Sequence, residues 1–362
     1  MSYLAYCIVA FTWIQLLVAL LNAVSARRRQ TAVGSYQGVV SVLIPARNEE
    51  DTIGLLLSDL QRQEDLELEI LVFNDLSTDD TMGVVTRCAQ RDSRVRLVNS
   101  EGLPAGWLGK NYGCHSLAQR AKGDYLLFLD ADVRLKEGVI AEAVALAEKG
   151  QTGLLSIFPS QIMRSVGEYL TVPIMNYILL TLLPLMLVRR SSFVSLAAAN
   201  GQFMLFKRDR YVETRPHEVF KNSRVEDIEM ARYLKERKIA VACLLGDERV
   251  TCRMYTGFND AVNGFSKNVI HFFGNSWGAA VAFWLVTSFG FLVVLSILPT
   301  VVGCLFLVAV VATRVVVSVA SKQNVWLNVL LLMAQQCVLG YLIWKAIVYS
   351  YNGQLKWKGR SI

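Results

Sequence analysis

Acidic side chains occur in two short motifs whose residue types suit the binding of a metal ion or a phosphate group. Asp130 and Asp132 are separated by one alanine and directly follow an apolar run, and Glu226 and Asp227 are adjacent much further along the chain. Two carboxylates at the end of a buried strand can converge on a hard cation such as Mg²⁺ and on the phosphate oxygens that it binds. An isolated Asp-x-Asp pair also suits a polar surface turn, so the wider pattern has to decide.

Other candidate residues allow a binding role and a structural role. Asp75 ends a second apolar run and could accept hydrogen bonds from a nucleobase or a ribose. Lys110 follows a glycine-rich segment and could offset the charge of a diphosphate, although a plain solvated loop explains the same residues. Glu226 and Asp227 precede a predicted helix at 228–236, where the helix dipole favours acidic residues in any case.

The strand-end motifs lie in a regular alternation of predicted strands and helices. Short β-branched runs are followed by segments with helical spacing of apolar residues. The predicted strands are 39–44, 68–73, 94–98, 124–129 and 153–158, and the predicted helices between them are 51–60, 78–90, 109–121 and 137–149.

This alternation predicts an α/β fold with a doubly wound, mostly parallel sheet. Ligands of such sheets bind beyond the carboxyl ends of the strands, where the acidic motifs fall. Neither a Gly-x-Gly-x-x-Gly nor a Walker A motif follows the first strand, so the common dinucleotide and P-loop interpretations lose their support.

The composition is that of a membrane protein. Of the 362 residues, 53% are hydrophobic and 19% are charged, and the mean hydropathy is +0.37. The net charge of +7 favours contact with anionic lipid or a phosphorylated substrate over binding of nucleic acid. Seven cysteines without a Cys-x-x-Cys pair suit a reducing compartment and argue against a disulfide scaffold or a zinc site.

Apolar segments lie at both ends of the chain. The first, at 3–24, is followed by Arg27, Arg28 and Arg29, so the positive-inside rule predicts an N-terminal anchor with the following residues in the cytoplasm. Near the other end, three candidate spans occupy 279–298, 301–320, which Arg314 interrupts, and 325–350. The basic tail should also be cytoplasmic, but three spans after a cytoplasmic domain would place it on the opposite side. The sequence leaves this disagreement open.

A further apolar stretch, 169–188, is expected to be interrupted at Pro173 and Pro184, and it ends at Arg189 and Arg190. A single membrane crossing here would separate the two acidic motifs, so we expect an interfacial or re-entrant pair of short helices. A buried core segment is the alternative. The predicted organisation is a transmembrane anchor at 1–26, a cytoplasmic domain at 38–275 that includes the hydrophobic segment 169–190, transmembrane helices at 279–350 and a basic tail at 351–362.

Taken in order, four motifs resemble those of the family 2 glycosyltransferases, which have the glycosyltransferase A-type fold. The motifs are VLIPARNEE at 42–50, NDLSTD at 74–79, DAD at 130–132 and ED at 226–227, and the resemblance covers 39–267. The chain is also similar to a membrane-anchored branch that includes bacterial carotenoid (diaponeurosporenoate) and hopanoid-associated glycosyltransferases. That similarity lies in 106–110, 153–156, 200–203, 253–255 and 357–360.

The resemblance implies a nucleotide-sugar donor, in this family a UDP-sugar, and a divalent cation, Mg²⁺ or Mn²⁺. It places Asp75 at the nucleoside, Asp130 and Asp132 at the ribose and the metal-diphosphate group, and Asp227 as the general base beside Glu226. The residues expected at the donor are Pro45, Asn48, Glu49, Asp75, Lys110 and Asp130, and those expected at the metal are Asp130 and Asp132.

Two departures from the family pattern affect the expected function. Asn74 stands where an aspartate is usual, which weakens one nucleoside contact, and 262–268 lacks the Gln-x-x-Arg-Trp signature of processive synthases. We therefore expect a multi-pass enzyme of the plasma membrane that transfers a sugar, with inversion, to a lipid-like acceptor such as a carotenoid or hopanoid. Polyprenyl phosphate or a polysaccharide is the alternative acceptor, and a non-catalytic membrane scaffold is the alternative class of protein.

Overall fold

The computed structural model describes residues 1–27 and 36–352, and the short stretches 356–357 and 360–361. The chain divides into two compact units. A helical unit comprises Met1–Arg28, Gln161–Pro184 and Arg253–Ile362, and a sheet unit comprises Arg29–Ser160 and Leu185–Cys252. Arg28 and Arg29, predicted to orient the first helix, and much of the basic tail lie outside the described residues.

The strands have the following bounds in chain order: β1 (Val39–Ala46), β2 (Glu67–Asn74), β3 (Val95–Asn99), β4 (Tyr125–Leu129), β5 (Val133–Leu135), β6 (Leu154–Phe158), β7 (Ser160–Gln161), β8 (Phe203–Lys207), β9 (Val241–Leu245), β10 (Val250–Cys252), β11 (Lys356–Trp357) and β12 (Arg360–Ser361). The helices are α1 (Ser2–Arg27), α2 (Ile53–Gln61), α3 (Thr81–Arg91), α4 (Gly109–Arg120), α5 (Val139–Gly150), α6 (Val166–Leu182), α7 (Leu185–Arg190), α8 (Arg208–Thr214), α9 (Pro216–Val219), α10 (Glu226–Glu236), α11 (Phe258–Asn268), α12 (Trp277–Ile297), α13 (Thr300–Ala320), α14 (Val325–Leu330) and α15 (Leu332–Asn352).

The main sheet has the strand order β3-β2-β1-β4-β8-β6-β9. Strands β3, β2, β1 and β4 are parallel, as are β6 and β9, whereas β8 is antiparallel to both of its neighbours. This arrangement confirms the predicted mostly parallel α/β sheet, and each predicted strand is observed within two residues of its predicted bounds. The short strands β5, β10 and β7 form a second sheet, and β11 pairs with β12.

The core of the sheet unit explains why the strands are so apolar. Helices cover the sheet, so strands such as β4, with its sequence YLLFL, are buried along their whole length. The core also includes the apolar faces of α2 and α5. Because β1, β2 and β4 are parallel neighbours, their carboxyl ends meet at one edge of the sheet.

Strand β8 was not predicted, and it is the element that completes this edge. Its first residue, Phe203, pairs with Leu129, the last residue of β4. The turn that precedes β8 therefore lies directly beside the Asp130–Asp132 motif. The short apolar run FMLFK carries no periodicity that separates a strand from a helix, which is why the prediction missed it.

In the helical unit, α1, α12, α13 and α15 are long and apolar enough to cross a membrane. One N-terminal and three C-terminal helices of this kind were expected, and the structure agrees. The last predicted span is corrected in its bounds, because the helix breaks near Leu331 into the short α14 and the longer α15.

The proline-containing segment forms one helix and the start of another. Helix α6 continues through Pro173, so the predicted break at that residue is wrong, and the chain leaves the helix just before Pro184. Pro173 has no N–H to donate to the carbonyl of Tyr169, four residues earlier, and this carbonyl instead accepts a 2.9 Å bond from Gln335 Nε2. With 17 residues, α6 spans about 26 Å, which is shorter than a hydrocarbon core of roughly 30 Å.

Candidate active site

Asp130 lies where β4 ends and is held by an ion pair and by the backbone. Lys110 Nζ is 2.8 Å from Asp130 Oδ1, and the Asp130 N–H donates a 3.2 Å bond to the carbonyl of Gln202. Lys110 lies in the first turn of α4 and is also 3.6 Å from Glu226 Oε1. One ammonium group thus connects the two acidic motifs.

The charge of Lys110 is fixed by these carboxylates. Burial on its own would lower the pKa of the ammonium group, but the negative charges of Asp130 and Glu226 outweigh it and raise the pKa well above its usual value. Lys110 is therefore protonated at physiological pH and available to bind an anion.

Asp227 is fixed by backbone groups at the start of α10. Its Oδ2 accepts a 2.9 Å bond from the N–H of Gly201, and its Oδ1 accepts a 2.8 Å bond from the N–H of Ile228. Burial raises the pKa of Asp227, and these two bonds act in the opposite direction. The carboxylate is held in one orientation while its affinity for a proton is increased.

Glu226 is buried, with 7% of its surface exposed. Burial raises the pKa of its carboxyl to about 7, the neighbouring Asp227 adds to the shift, and Lys110 opposes it. A carboxyl with a pKa near neutral exchanges protons readily under physiological conditions. The pair had an alternative explanation as simple helix capping, but its contacts to Lys110 and to Gly201 reach outside the helix.

Asp132 has an unsatisfied oxygen. Its Oδ1 is buried and has no hydrogen-bond partner, and burial, with the charges of Asp130 and Glu49, raises its pKa to about 6. A bond from the Cys252 thiol acts in the opposite direction, and Gln202 Nε2 is 2.8 Å from Cys252 Sγ. A buried carboxylate oxygen without a donor suits a cation as its partner.

The loops after β1 and β2 are connected to each other by side-chain bonds. Asn48 Oδ1 accepts a 2.8 Å bond from the N–H of Thr78, and the Asn48 N–H donates a 3.1 Å bond to Ser77 Oγ. Asp75 is 3% exposed, and its N–H bonds the carbonyl of Ala46 at 2.9 Å. Ser77 thus connects the two loops.

The predicted site residues therefore form two groups at the same sheet edge. Direct contacts join Lys110 to Asp130 and Glu226, and electrostatic coupling adds Asp227, Asp132 and Glu49. Pro45 lies near the end of β1, and Asn48 and Asp75 lie in the neighbouring loops after β1 and β2. Within the described part of the chain, no group of three His, Cys, Asp or Glu side chains is close enough to hold a metal ion alone.

Three residues of the site were not predicted as such. Gly201 holds Asp227, and a Cβ built on this glycine would approach Lys110 Nζ to 3.1 Å and Glu226 Oε1 to 3.5 Å. Gln202 and Cys252 support Asp132. The segment 200–203 was noted only as part of a resemblance, because nothing in its own pattern indicates that a strand pairs it with β4.

Comparison with protein families identifies residues 41–211 as a match to "Glycosyl transferase family 2". This range includes β1, β2, β4 and the first acidic motif. Residues 41–211 thus match the domain of the family 2 glycosyltransferases. Its fold is the glycosyltransferase A-type fold that the sequence predicted.

Curated relatives support the same family. A 4,4'-diaponeurosporenoate glycosyltransferase of Staphylococcus haemolyticus is 28% identical over 239 residues, which are 64% of this chain and 60% of the relative. The protein of the same name from Staphylococcus aureus is 28% identical over 262 residues, which are 69% of this chain and 66% of the relative. The chain thus covers less than two thirds of the length of these relatives.

A solved structure has the same fold over nearly the whole chain. The mannosyltransferase PcManGT from Pyrobaculum calidifontis, in complex with GDP-Man and Mn²⁺, aligns with a TM-score of 0.57 and 16% identity, covering 96% of this chain and 99% of its own. The likeness therefore includes the apolar helices as well as the sheet.

Proposed function

We propose that this protein transfers a sugar, with inversion, from a nucleoside-diphosphate donor to a lipid-like acceptor such as a carotenoid. The observation that carries the proposal is the convergence of Lys110 with Asp130, Glu226 and Asp227 at the ligand-binding edge of the sheet. This edge belongs to a family 2 glycosyltransferase domain, in a chain with four helices that are long enough to span a membrane.

The donor lies across two groups of residues in this proposal. Pro45 near the end of β1, with Asn48 and Asp75 in the loops after β1 and β2, holds the nucleoside, which the family expectation makes uridine. The ammonium group of Lys110 offsets part of the diphosphate charge, because its pKa is raised and it stays protonated. Glu49, which couples electrostatically to Asp132, lies between the two groups.

A divalent cation fits the carboxylates that follow β4. Asp132 Oδ1 is a buried oxygen without a hydrogen-bond partner, and Mg²⁺ and Mn²⁺ prefer oxygen ligands. Asp130 and Asp132 would hold the ion, and substrate phosphate oxygens would supply ligands that the protein does not. When bound, the cation neutralises the charge that develops on the leaving nucleoside diphosphate.

Asp227 is the general base in this mechanism. Its two backbone bonds hold the carboxylate so that it can accept the proton from an acceptor hydroxyl or carboxyl as that oxygen attacks the anomeric carbon. Glu226 adds negative charge beside it and positions Lys110. A positioned base of this kind contributes about 10²–10⁴-fold to the rate.

A lipid-like acceptor is supported by the names of the relatives and by the helical unit. The two curated relatives are named for diaponeurosporenoate, a carotenoid carboxylate, and a substrate that dissolves in the bilayer suits an enzyme attached to it. Residues 262–268, which lack the signature of processive synthases, give no support to polysaccharide synthesis.

The site of action is the plasma membrane, with the sheet unit on its cytoplasmic side. This orientation follows from the arginines after the first apolar segment. A cytoplasmic tail requires that helix α15 does not cross the membrane completely. Lys345 Nζ lies 2.7 Å from Asn263 Oδ1 in α11, and the carbonyl of Gln336 accepts a 3.0 Å bond from Trp284 Nε1 in the first half of α12. The two contacts are thus to α11 and to the first half of α12, the element that follows it among the long apolar helices.

The direct test is a product assay with the full-length protein in lipid nanodiscs. The donors are radiolabelled UDP-sugars, and the acceptors are diaponeurosporenoate, a hopanoid alcohol and polyprenyl phosphate, each in the presence of Mn²⁺. We expect labelled glycosyl carotenoid or hopanoid. Label in polyprenyl phosphate or in a polymer instead would reassign the acceptor, and absence of any transfer from any donor would favour a scaffold.

A further inference from the structure

The helical unit contains a buried arginine in one of its apolar helices. Arg314 lies six residues before the end of α13 and is 4% exposed. Its guanidinium carbon is 3.6 Å from the centre of the Tyr177 ring, and its Nη1 donates a 3.1 Å bond to Gln335 Oε1. The side chain thus points into the helical unit and is not extended towards water.

In the part of the chain that the structure describes, no acidic side chain pairs with Arg314. The three segments of the helical unit contain two acidic residues, Glu168 and Asp260. Glu168 pairs with Arg253 at 2.9 Å, and Asp260 Oδ2 accepts a 3.2 Å bond from the N–H of Thr256. Among the ion pairs of the described residues, none includes Arg314.

The neighbours of Arg314 are neutral and already held in place. Gln335 Nε2 donates to the carbonyl of Tyr169 at 2.9 Å and to Asn328 Oδ1 at 3.2 Å. The carbonyl of Tyr169 is available because Pro173 cannot donate to it. This network fixes Gln335 and the guanidinium plane before any ligand binds, so the cost of ordering them on binding is low.

A guanidinium group does not lose its proton in a protein, so burial cannot neutralise Arg314. The face of Tyr177 and the oxygen of Gln335 compensate the charge only in part. A buried charge without an opposite partner is strongly unfavourable. An anion would balance the charge of Arg314, and the planar guanidinium is well suited to a carboxylate or a phosphate.

We propose that Arg314, Tyr177 and Gln335 form a binding site for the oxyanion of a lipid. Arg314 is about 9 Å from the end of α13 at 1.5 Å per residue, so a ligand that reaches it must carry its anionic group on an apolar body. Two sources share this chemistry, namely the carboxylate of a carotenoid acceptor and the phosphate of an anionic phospholipid. The first source rests on the proposed function, whereas the second does not.

The experiment measures the melting temperature of the full-length protein in phosphatidylcholine nanodiscs, without any sugar donor. The probes are diaponeurosporenoate, its methyl ester, and phosphatidylglycerol. A ligand that binds only the folded state raises the melting temperature. We expect the acid or phosphatidylglycerol to raise it and the neutral ester not to do so. An equal rise with acid and ester, or no rise with either anion, overturns the proposal.

Variants locate the effect. Arg314→Gln keeps a hydrogen-bonding side chain but removes the charge, and we expect it to weaken binding of the anion at least about tenfold and to abolish the rise. Arg164→Gln removes an exposed arginine of the same unit and should keep the rise. If Arg314→Gln retains it, the site is elsewhere. If this variant does not fold, the comparison of acid and ester on the unaltered chain decides.

The assay contains no donor, so its outcome is independent of catalysis. If an anion raises the melting temperature but the product assay detects no sugar transfer, this site is supported and the proposed function is contradicted. If sugar is transferred to a carotenoid but neither the carboxylate nor phosphatidylglycerol raises the melting temperature, the proposed function is supported and this site is contradicted. A response to the acid identifies the acceptor as the ligand, and a response confined to phosphatidylglycerol identifies a structural phospholipid.

Discussion

Asp130, Asp132, Glu226 and Asp227 form an acid cluster in the sheet unit, and Arg314 is a buried cation in the helical unit. These charges have opposite sign, and in both places their neighbours balance them only in part. In the first, Asp132 keeps an oxygen without a hydrogen-bond partner, and one lysine faces several carboxylates. In the second, a guanidinium has a tyrosine face and a neutral amide as its partners. Under the two proposals, a charged ligand completes the compensation in each unit, a cation with its diphosphate in one and a lipid oxyanion in the other.

The largest expected effect tests whether the acid cluster is catalytic. Asp227→Asn removes the proposed base but keeps the shape of the side chain and one oxygen, which can still accept one of the two backbone bonds. We expect turnover to fall about 10²–10⁴-fold with little change in the KM for the donor, measured as initial rates of sugar transfer. Glu236→Gln, an exposed residue at the end of the same helix, is the control. An unchanged rate in Asp227→Asn would remove Asp227 from the mechanism.

Asp132→Asn tests the role of the unsatisfied oxygen. Loss of the proposed cation ligand should lower the transfer rate about 10²–10³-fold, which is the usual cost of losing one electrostatic contact to a developing charge. Excess Mn²⁺ should restore part of the rate, because the remaining ligands still bind the ion weakly. The control is Asp51→Asn in the loop before α2, and a rate equal to that of the unaltered protein would contradict the metal assignment.

The pH dependence tests the state of the cluster. Burial raises the pKa of Glu226 to about 7, so its carboxylate is present above that pH and is lost as the pH falls through it. We expect the rate to decline by up to about tenfold for each pH unit below this value. Glu226→Gln removes the ionisation and should abolish this limb of the profile. A profile that is flat from pH 8 to roughly 5.5 would show that sugar transfer does not need the ionised carboxylate of Glu226.

A smaller effect is expected at the residues that support Asp132. Cys252→Ala removes the thiol that bonds its carboxylate, and loss of such a supporting bond typically costs about 10–100-fold in metal affinity. The affinity for Mn²⁺ can be measured by electron paramagnetic resonance. Cys88→Ala, in α3, is the matched control. If both variants bind Mn²⁺ equally well, Cys252 has no role in positioning Asp132.

The difference between the two units also sets what the sequence could predict. Parallel strands can be recognised as short apolar runs, and the residues that follow them lie at one edge of the sheet. The sequence pattern alone therefore placed Asp75, Asp130 and Asp132 at this edge. Gly201 and Cys252 were not found, because their proximity to the acids depends on β8 and β10, whose pairing is not local. Arg314 was noticed only as an interruption in a predicted span. Its significance depends on the absence of a nearby acid, which is a property of the packed helices.

Helix α6 shows the same limit from another direction. Pro173 was expected to break the helix, since proline removes a backbone bond. The helix survives because Gln335, far along the chain, donates to the carbonyl of Tyr169 that the proline leaves without a partner. The local rule correctly predicts that proline removes one backbone hydrogen bond. It does not predict that a side chain distant in the sequence replaces that bond.

The central claim is that the carboxylates beyond β4 hold a divalent cation together with a nucleoside diphosphate. Calorimetric titration of UDP into the full-length protein, with Mn²⁺ and then with a chelator, tests it most directly. We expect binding that requires Mn²⁺, is strongly weakened in Asp132→Asn and is retained in Asp227→Asn. Equally tight binding of UDP in the presence of the chelator, or in Asp132→Asn, would contradict it.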